Sequence, residues 1–213
     1  MVHRTPFFFP WLYPGLTWRI PDAPKRLFLT FDDGPVPGPT EFVVDTLAAT
    51  NVKGTFFCIG DNIRKHPAVY QSLLSNGHRV GNHTFNHLNG WRTSTGRYLD
   101  NVKACADVLT AISTTVDVTP GQPLFRPPYG RITRAQIATL SSFKIVMWDV
   151  LTMDYRKTLG PERCLRNTIS AARDGSIVVF HDSVKAEKNL TYVLPRFIDH
   201  FKTLGYEFSV IPS

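Results

Sequence analysis

From Lys25 onward, short apolar runs alternate with amphipathic stretches. Leu27–Phe31, Thr55–Ile59 and Ile177–Phe180 are nearly continuous in apolar residues, the pattern of strands buried on both faces. Shorter β-rich runs at Arg79–Gly81, Leu124–Arg126, Ile145–Trp148 and Tyr206–Val210 bring the expected strands to seven. Between them, helices are expected over Thr40–Thr50, Pro67–Asn76, Tyr98–Ala111, Thr133–Ser142, Pro161–Arg173 and Thr191–Leu204. Thr40, preceded by Pro39, suits a helix cap, and Gly77 and Gly205 stand where helices should stop. Alternation of this kind predicts an α/β fold with parallel strands and helical crossovers. Seven strands either close into a distorted barrel or form an open sheet, and the pattern does not choose. In both cases chemistry gathers at the carboxyl ends of the strands.

The stretch before Lys25 reads differently. Phe7-Phe8-Phe9-Pro10-Trp11-Leu12 is apolar but broken by Pro6, Pro10 and Pro14, and no small-residue cleavage site follows as in a signal peptide. It is also too short to span a bilayer. Residues 1–24 are therefore expected to form a strap that lays its aromatics on a domain spanning 25–213, and with no export signal visible the default location is the cytoplasm.

Composition narrows the classes. A 213-residue chain with 43% hydrophobic and 19% charged residues suits one globular domain. The formal charge of +7 invites an anionic partner, but the basic residues are scattered, with no arginine-rich run or aromatic ladder. A solvated positive surface is expected, not a nucleic-acid interface. Cys58, Cys105 and Cys164 form no CxxC pair, so neither a structural zinc site nor a disulfide framework is indicated. Cys58, within Phe56-Phe57-Cys58-Ile59, reads as a small buried hydrophobe.

The reactive residue types cluster just after expected strands. Thr30-Phe31-Asp32-Asp33-Gly34-Pro35 puts adjacent carboxylates at a strand end, where their mutual repulsion calls for a cation. Asn82-His83-Thr84-Phe85-Asn86-His87 places histidines at i and i+4. On one helical turn they would converge on one ion, with Asn82 and Thr84 near enough to orient the rings. Two imidazoles and a carboxylate leave positions open for water and substrate. Zinc suits that donor set, and cobalt, nickel or iron fit it too. Arg126-Pro127-Pro128-Tyr129-Gly130 brings a guanidinium able to pair with Asp32 and a Tyr129 N–H able to meet an oxyanion. Trp148-Asp149-Val150-Leu151-Thr152-Met153-Asp154-Tyr155 and Ile177-Val178-Val179-Phe180-His181-Asp182 complete the set. His181, at a strand end beside an aspartate, suits general-acid work. His3, His66, His78 and His200 have no such setting.

TFDDGP, HTFNH, RPPYG and a late strand ending in His-Asp occur together and in order. On these motifs the chain, from about Lys25 to its end, resembles the polysaccharide deacetylase family, carbohydrate esterase family 4 with the NodB-homology domain. The resemblance implies a distorted (β/α)7 barrel and a divalent metal. It implies Asp33, His83 and His87 as metal ligands, Asp32 as general base, and Arg126 as the residue that steadies it. Tyr129 corresponds to the oxyanion-hole residue, His181 to the general acid, and Asp154 to the carboxylate that tunes it. Tyr129, Trp148, Tyr155 and Val179 fall where a substrate pocket is expected. Tyr155 replaces the family's usual tryptophan and Val179 its usual leucine, which bears on pocket shape and removes no reacting group. The expected reaction is hydrolysis of acetamido groups on N-acetylated glycans, of the chitin-oligosaccharide or peptidoglycan type. Three alternatives stand beside it: an O-acetyl esterase on acetylated xylan, a cyclic-amide hydrolase of the same fold, and a non-catalytic glycan-binding module. Retention of both the HxxxH histidines and the paired aspartates favours the first reading.

Overall fold

In the computed structural model, which describes residues 3–112 and 121–212, the apolar run ahead of the paired aspartates becomes an interior strand, β1 (Arg26–Asp32). Every residue of β1 after Arg26 is buried. The other strands are β2 (Thr55–Cys58), β3 (Arg79–Asn82), β4 (Leu124–Phe125), β5 (Lys144–Ile145), β6 (Val150–Leu151), β7 (Ile177–His181) and β8 (Glu207–Phe208). They pair in the order β5-β4-β3-β2-β1-β7-β6, all in parallel. The curved sheet is the distorted (β/α)7 barrel, left open between β5 and β6.

The helices are α1 (Phe8–Leu12), α2 (Pro39–Ala49), α3 (Gly60–Lys65), α4 (Pro67–Ser75), α5 (Thr95–Ile112), α6 (Arg134–Thr139), α7 (Pro161–Ala171) and α8 (Glu187–Thr203). One core cluster joins Leu27, Leu29 and Phe31 of β1 to Val43 and Leu47 of α2 and to Leu190, Leu194, Phe197 and Ile198 of α8. Within it the Phe31 ring stacks against Phe56 at 4.7 Å and Phe180 at 5.9 Å between centroids. Aromatic pairs like these add to their burial energy. These rings pack the sheet directly beneath the carboxyl ends of β1, β2 and β7.

Several elements depart from the sequence-based expectation. β6 was not expected, because two residues carry no periodicity. Ile145–Trp148 is a strand only at its start: Val146 N–H still bonds Phe125 O of β4, but Met147 N–H turns to Thr17 O, and the chain leaves the ladder there. Tyr206–Val210 contributes only β8, which pairs with the beginning of β1 and lies away from the carboxyl ends. α8 starts four residues before Thr191 and runs through Pro195. The lost backbone bond is offset by the buried Leu194, Phe197 and Ile198 around it.

The N-terminal segment meets both free edges of the open barrel. Thr17 exchanges backbone hydrogen bonds with Ile145 and Met147 beside β5, at 2.9 and 2.7 Å. His3 accepts from Leu151 of β6 at 2.8 Å, and Thr5 N–H donates to Asp149 O at 2.7 Å. Its aromatics divide into two sets. Trp18 is buried with Leu16, and Phe9 and Tyr13 pack against the same cluster. Phe7 and Trp11, by contrast, are 90% and 80% exposed. Among the described residues no helix is long and apolar enough to cross a membrane.

Candidate active site

β1 delivers Asp32 and Asp33 to the carboxyl end of the sheet, β3 delivers His83, β4 delivers Arg126, and β7 delivers His181. Because side chains alternate along a strand, Thr30 and Asp32 share the face that looks into the barrel. Arg126 fills that interior and is fully buried. Its Nη1 donates to Asp32 Oδ1 at 2.7 Å and to Thr30 Oγ1 at 2.8 Å. Its Nε reaches Val146 O at 3.1 Å and its Nη2 reaches Met147 O at 2.8 Å. The guanidinium also lies 4.1 Å from the centre of the Phe57 ring. These contacts leave Asp32 one orientation.

Asp33 turns the other way, through a left-handed backbone at φ +82°. Its Oδ1 lies 3.2 Å from His87 Nε2 and 3.8 Å from His83 Nε2. The three donor atoms fall within 4.8 Å of one another. Each imidazole is held by its far nitrogen: His83 Nδ1 sits 2.8 Å from Arg126 O, and His87 Nδ1 sits 3.0 Å from the Tyr129 hydroxyl. Both Nε2 atoms are thereby presented to the same point, as outer hydrogen bonds do for ligating histidines. Burial lowers the His83 pKa to about 4, so its ring is neutral and able to ligate. Burial works to raise Asp33, but the His87 hydrogen bond and the charge of His181 outweigh it and hold the carboxyl well below its ordinary range. Two imidazoles facing an ionised carboxylate fit a divalent cation.

The histidine loop is not the helical turn expected from its i, i+4 spacing. Thr84 and His87 both adopt positive φ, +62° and +56°, which a helix forbids. The side chains supply the reason. Asn82 Oδ1 accepts from Thr84 N–H, and Asn101 Oδ1, from α5, accepts from the N–H groups of Phe85 and Asn86. Side chains that capture backbone donors compete with helix formation. The rings still come together, with centroids 5.1 Å apart.

Tyr129 also adopts positive φ, +61°, and is 59% exposed at the mouth. Its hydroxyl contact with His87 was not anticipated from the sequence, which had drawn attention only to its N–H. Left-handed non-glycine residues cost energy and persist where surrounding contacts over-determine them. Here Asp33, Thr84, His87 and Tyr129 gather around one opening.

Opposite lies His181, whose Nδ1 is 2.8 Å from Asp154 Oδ1. Burial lowers its basicity, but Asp154 reverses this and the pKa rises to about 9. The Tyr155 ring stands 4.8 Å from the His181 ring. Val179, fully buried, lies two residues earlier on the same face of β7. Trp148 stands against Gly130, where an added Cβ would meet its ring at 2.6 Å.

Two aspartates in the motifs serve other ends. Asp149 takes both Arg173 and Ser176, a contact at the start of β7, away from its carboxyl end. Asp182, next to His181 in sequence and a candidate partner for it there, bonds Gly34 N–H at 3.1 Å and Thr40 Oγ1 at 2.6 Å. Burial pushes its pKa up to about 8. Cys58, Cys105 and Cys164 are buried free thiols.

The polysaccharide deacetylase family model matches residues 19–148. A peptidoglycan-N-acetylglucosamine deacetylase of Bacillus cereus is 31% identical over 200 residues, covering 92% of this chain and 91% of that protein. Peptidoglycan-N-acetylglucosamine deacetylase PgdA of Listeria monocytogenes is 33% identical over 202 residues. That match covers 91% of this chain, which spans only 40% of the Listeria protein's length. Among solved structures, the Bc1960 peptidoglycan N-acetylglucosamine deacetylase superposes with a TM-score of 0.87 at 28% identity, over 98% of this chain and 95% of its own. The chain belongs to the polysaccharide deacetylase family.

Proposed function

We propose that the protein is a metal-dependent N-deacetylase that hydrolyses acetamido groups of N-acetylated glycans and releases acetate. The observation that carries this reading is the placing of Asp33, His83 and His87 within 4.8 Å of one another, at the end of the sheet that also bears the Asp32–Arg126 and His181–Asp154 pairs. The names of the Bacillus cereus and Listeria relatives support a glycan of the peptidoglycan or chitin-oligosaccharide type.

Asp33, His83 and His87 would hold the ion, and zinc suits two imidazoles and one carboxylate. When bound, a divalent ion polarises the acetyl carbonyl and makes water a better nucleophile. Asp32 takes a proton from the attacking water, with its carboxylate aimed by Arg126. The Tyr129 N–H donates to the oxyanion that forms on the carbonyl oxygen. His181 has its Nδ1 engaged by Asp154, so Nε2 is the atom that hands a proton to the departing nitrogen. The C–N bond breaks, and the products are acetate and a glycan amine. Tyr155 and Trp148 form the apolar wall for the acetyl methyl, and Val179, fully buried, does not reach its surface.

The general-acid assignment has a pH signature. An acid with a pKa of about 9 is charged through neutral pH and loses its proton only as pH rises past that value. Asp154→Asn removes the carboxylate that raises it and leaves burial, which lowers it. The alkaline limb of the kcat profile should therefore move to lower pH. Rates measured across the neutral and alkaline range decide this, and an unmoved limb would exclude His181 as the proton donor.

The function itself is tested by acetate release from chitin oligosaccharides and peptidoglycan, with acetylated xylan and a cyclic ureide beside them and zinc supplied. Release from the N-acetylated glycans is the expected result. Turnover of xylan or ureide alone would reassign the substrate. Binding without any turnover would make the protein a glycan-binding module.

A further inference from the structure

Asp182 stands apart from the reacting groups yet holds the segment that carries one of them. It follows β7, and its own N–H donates to Asp32 O at 3.0 Å. Its carboxylate is buried, with the residue 1% exposed. Oδ1 accepts from Gly34 N–H at 3.1 Å, and Oδ2 accepts from Thr40 Oγ1 at 2.6 Å. The same Thr40 hydroxyl accepts from Val36 N–H at 2.7 Å. One carboxylate therefore ties the residue just after Asp33 to the first turn of α2.

Two further contacts fix the other side of this segment. Asn62 Nδ2 donates to Asp33 O at 2.7 Å, and Ile59 N–H donates to Gly34 O at 2.9 Å. Asp33 is thus gripped through its own carbonyl and through both polar backbone groups of Gly34. That grip holds it at φ +82°, a conformation that a non-glycine residue does not keep unaided. The fit of Asp182 is also the reason for glycine at position 34. A Cβ there would stand 1.9 Å from Asp182 Oδ2.

We propose that Asp182 is a positioning residue for the metal centre, acting through Gly34 and Thr40 to aim the Asp33 carboxylate at the histidine pair. The proposal deepens the deacetylase reading by adding a residue that touches neither substrate nor ion. Loss of outer contacts to a metal ligand typically weakens metal binding about 10–100-fold, and Asp182→Ala should lie in that range.

The test is a zinc titration of the intact protein against a chromophoric chelator, together with the visible absorption of bound cobalt and the melting temperature of the metal-free protein. Asp182→Ala should bind zinc at least about tenfold more weakly and show an altered cobalt spectrum. Asp182→Asn keeps an acceptor for Gly34 N–H and should recover part of the affinity. Thr40→Val, which removes the second tie together with the acceptor of Val36 N–H but leaves the Gly34 contact, should fall between the parent and Asp182→Ala. Should Asp182→Ala fail to fold, the Asn and Val variants carry the same comparison. A lower melting temperature with unchanged zinc affinity and cobalt spectrum would make Asp182 a fold residue only and overturn the proposal. A parent protein that binds neither ion would overturn it too. None of these readouts uses a glycan. Loss of affinity in the variants of a parent that releases no acetate would uphold the positioning role while refuting the deacetylase reading.

Discussion

Asp32→Asn is expected to lower kcat by about 10²–10⁴-fold, the usual worth of a general acid–base step, while leaving the zinc content unchanged. The separation follows from the geometry. Asp32 faces Arg126, with Oδ1 2.7 Å from Nη1, whereas Asp33 faces the histidines. An asparagine at position 32 can still accept the guanidinium's hydrogen bond through its amide oxygen, so the interior of the barrel loses little. What it cannot do is take a proton from water. Single-turnover acetate release and metal analysis of the same preparation give the two readouts. Loss of zinc in parallel with activity would show that Asp32 belongs to the ligand set, and full activity would remove it from the mechanism.

Much of this arrangement was legible before the structure, for a physical reason. Runs such as Leu27–Phe31 and Ile177–Phe180 are apolar on both faces and become β1 and β7, two adjacent interior strands of the sheet. In a parallel fold the residues after such strands collect at one end, so Asp32, Asp33 and His181 were bound to meet. Of the two-residue strands, β4 and the second residue of β5 fall within expected runs, whereas β6 has no periodicity to read. Their positions are set by tertiary contacts, including the backbone bonds made by Thr17 and His3 at the open edges. The same limit appears in the site. Spacing indicated that His83 and His87 converge, but the loop conformation depends on Asn101, which is 14 residues downstream of His87 and contacts the loop only after α5 packs. Likewise, adjacency made Asp182 a candidate partner for His181. The side chains of neighbouring residues along an extended chain point to opposite faces, so Asp154, from the turn after β6, takes that place.

Arg126→Ala should be the most damaging single change to the fold. The guanidinium is fully buried and makes hydrogen bonds to Asp32, Thr30, Val146 O and Met147 O. Removing it leaves the Asp32 carboxylate, 4% exposed, without its counter-charge, and strands two backbone carbonyls. Breaking one partner out of a buried ion pair typically costs about 3–5 kcal/mol. In a domain of this size each kcal/mol lowers Tm by roughly 2–4 °C, so a drop of about 6–20 °C is expected. Lysine should not rescue it, because a single ammonium cannot reach all four acceptors in the fork geometry of a guanidinium. The double variant with Asp32→Asn should recover part of the stability, since the uncompensated charge is then gone, and it should remain inactive. Thermal unfolding of the two single variants and the double variant provides the check. If the effects of Arg126→Ala and Asp32→Asn simply add, Asp32 is not the group that Arg126 stabilises, and the guanidinium serves the barrel interior alone.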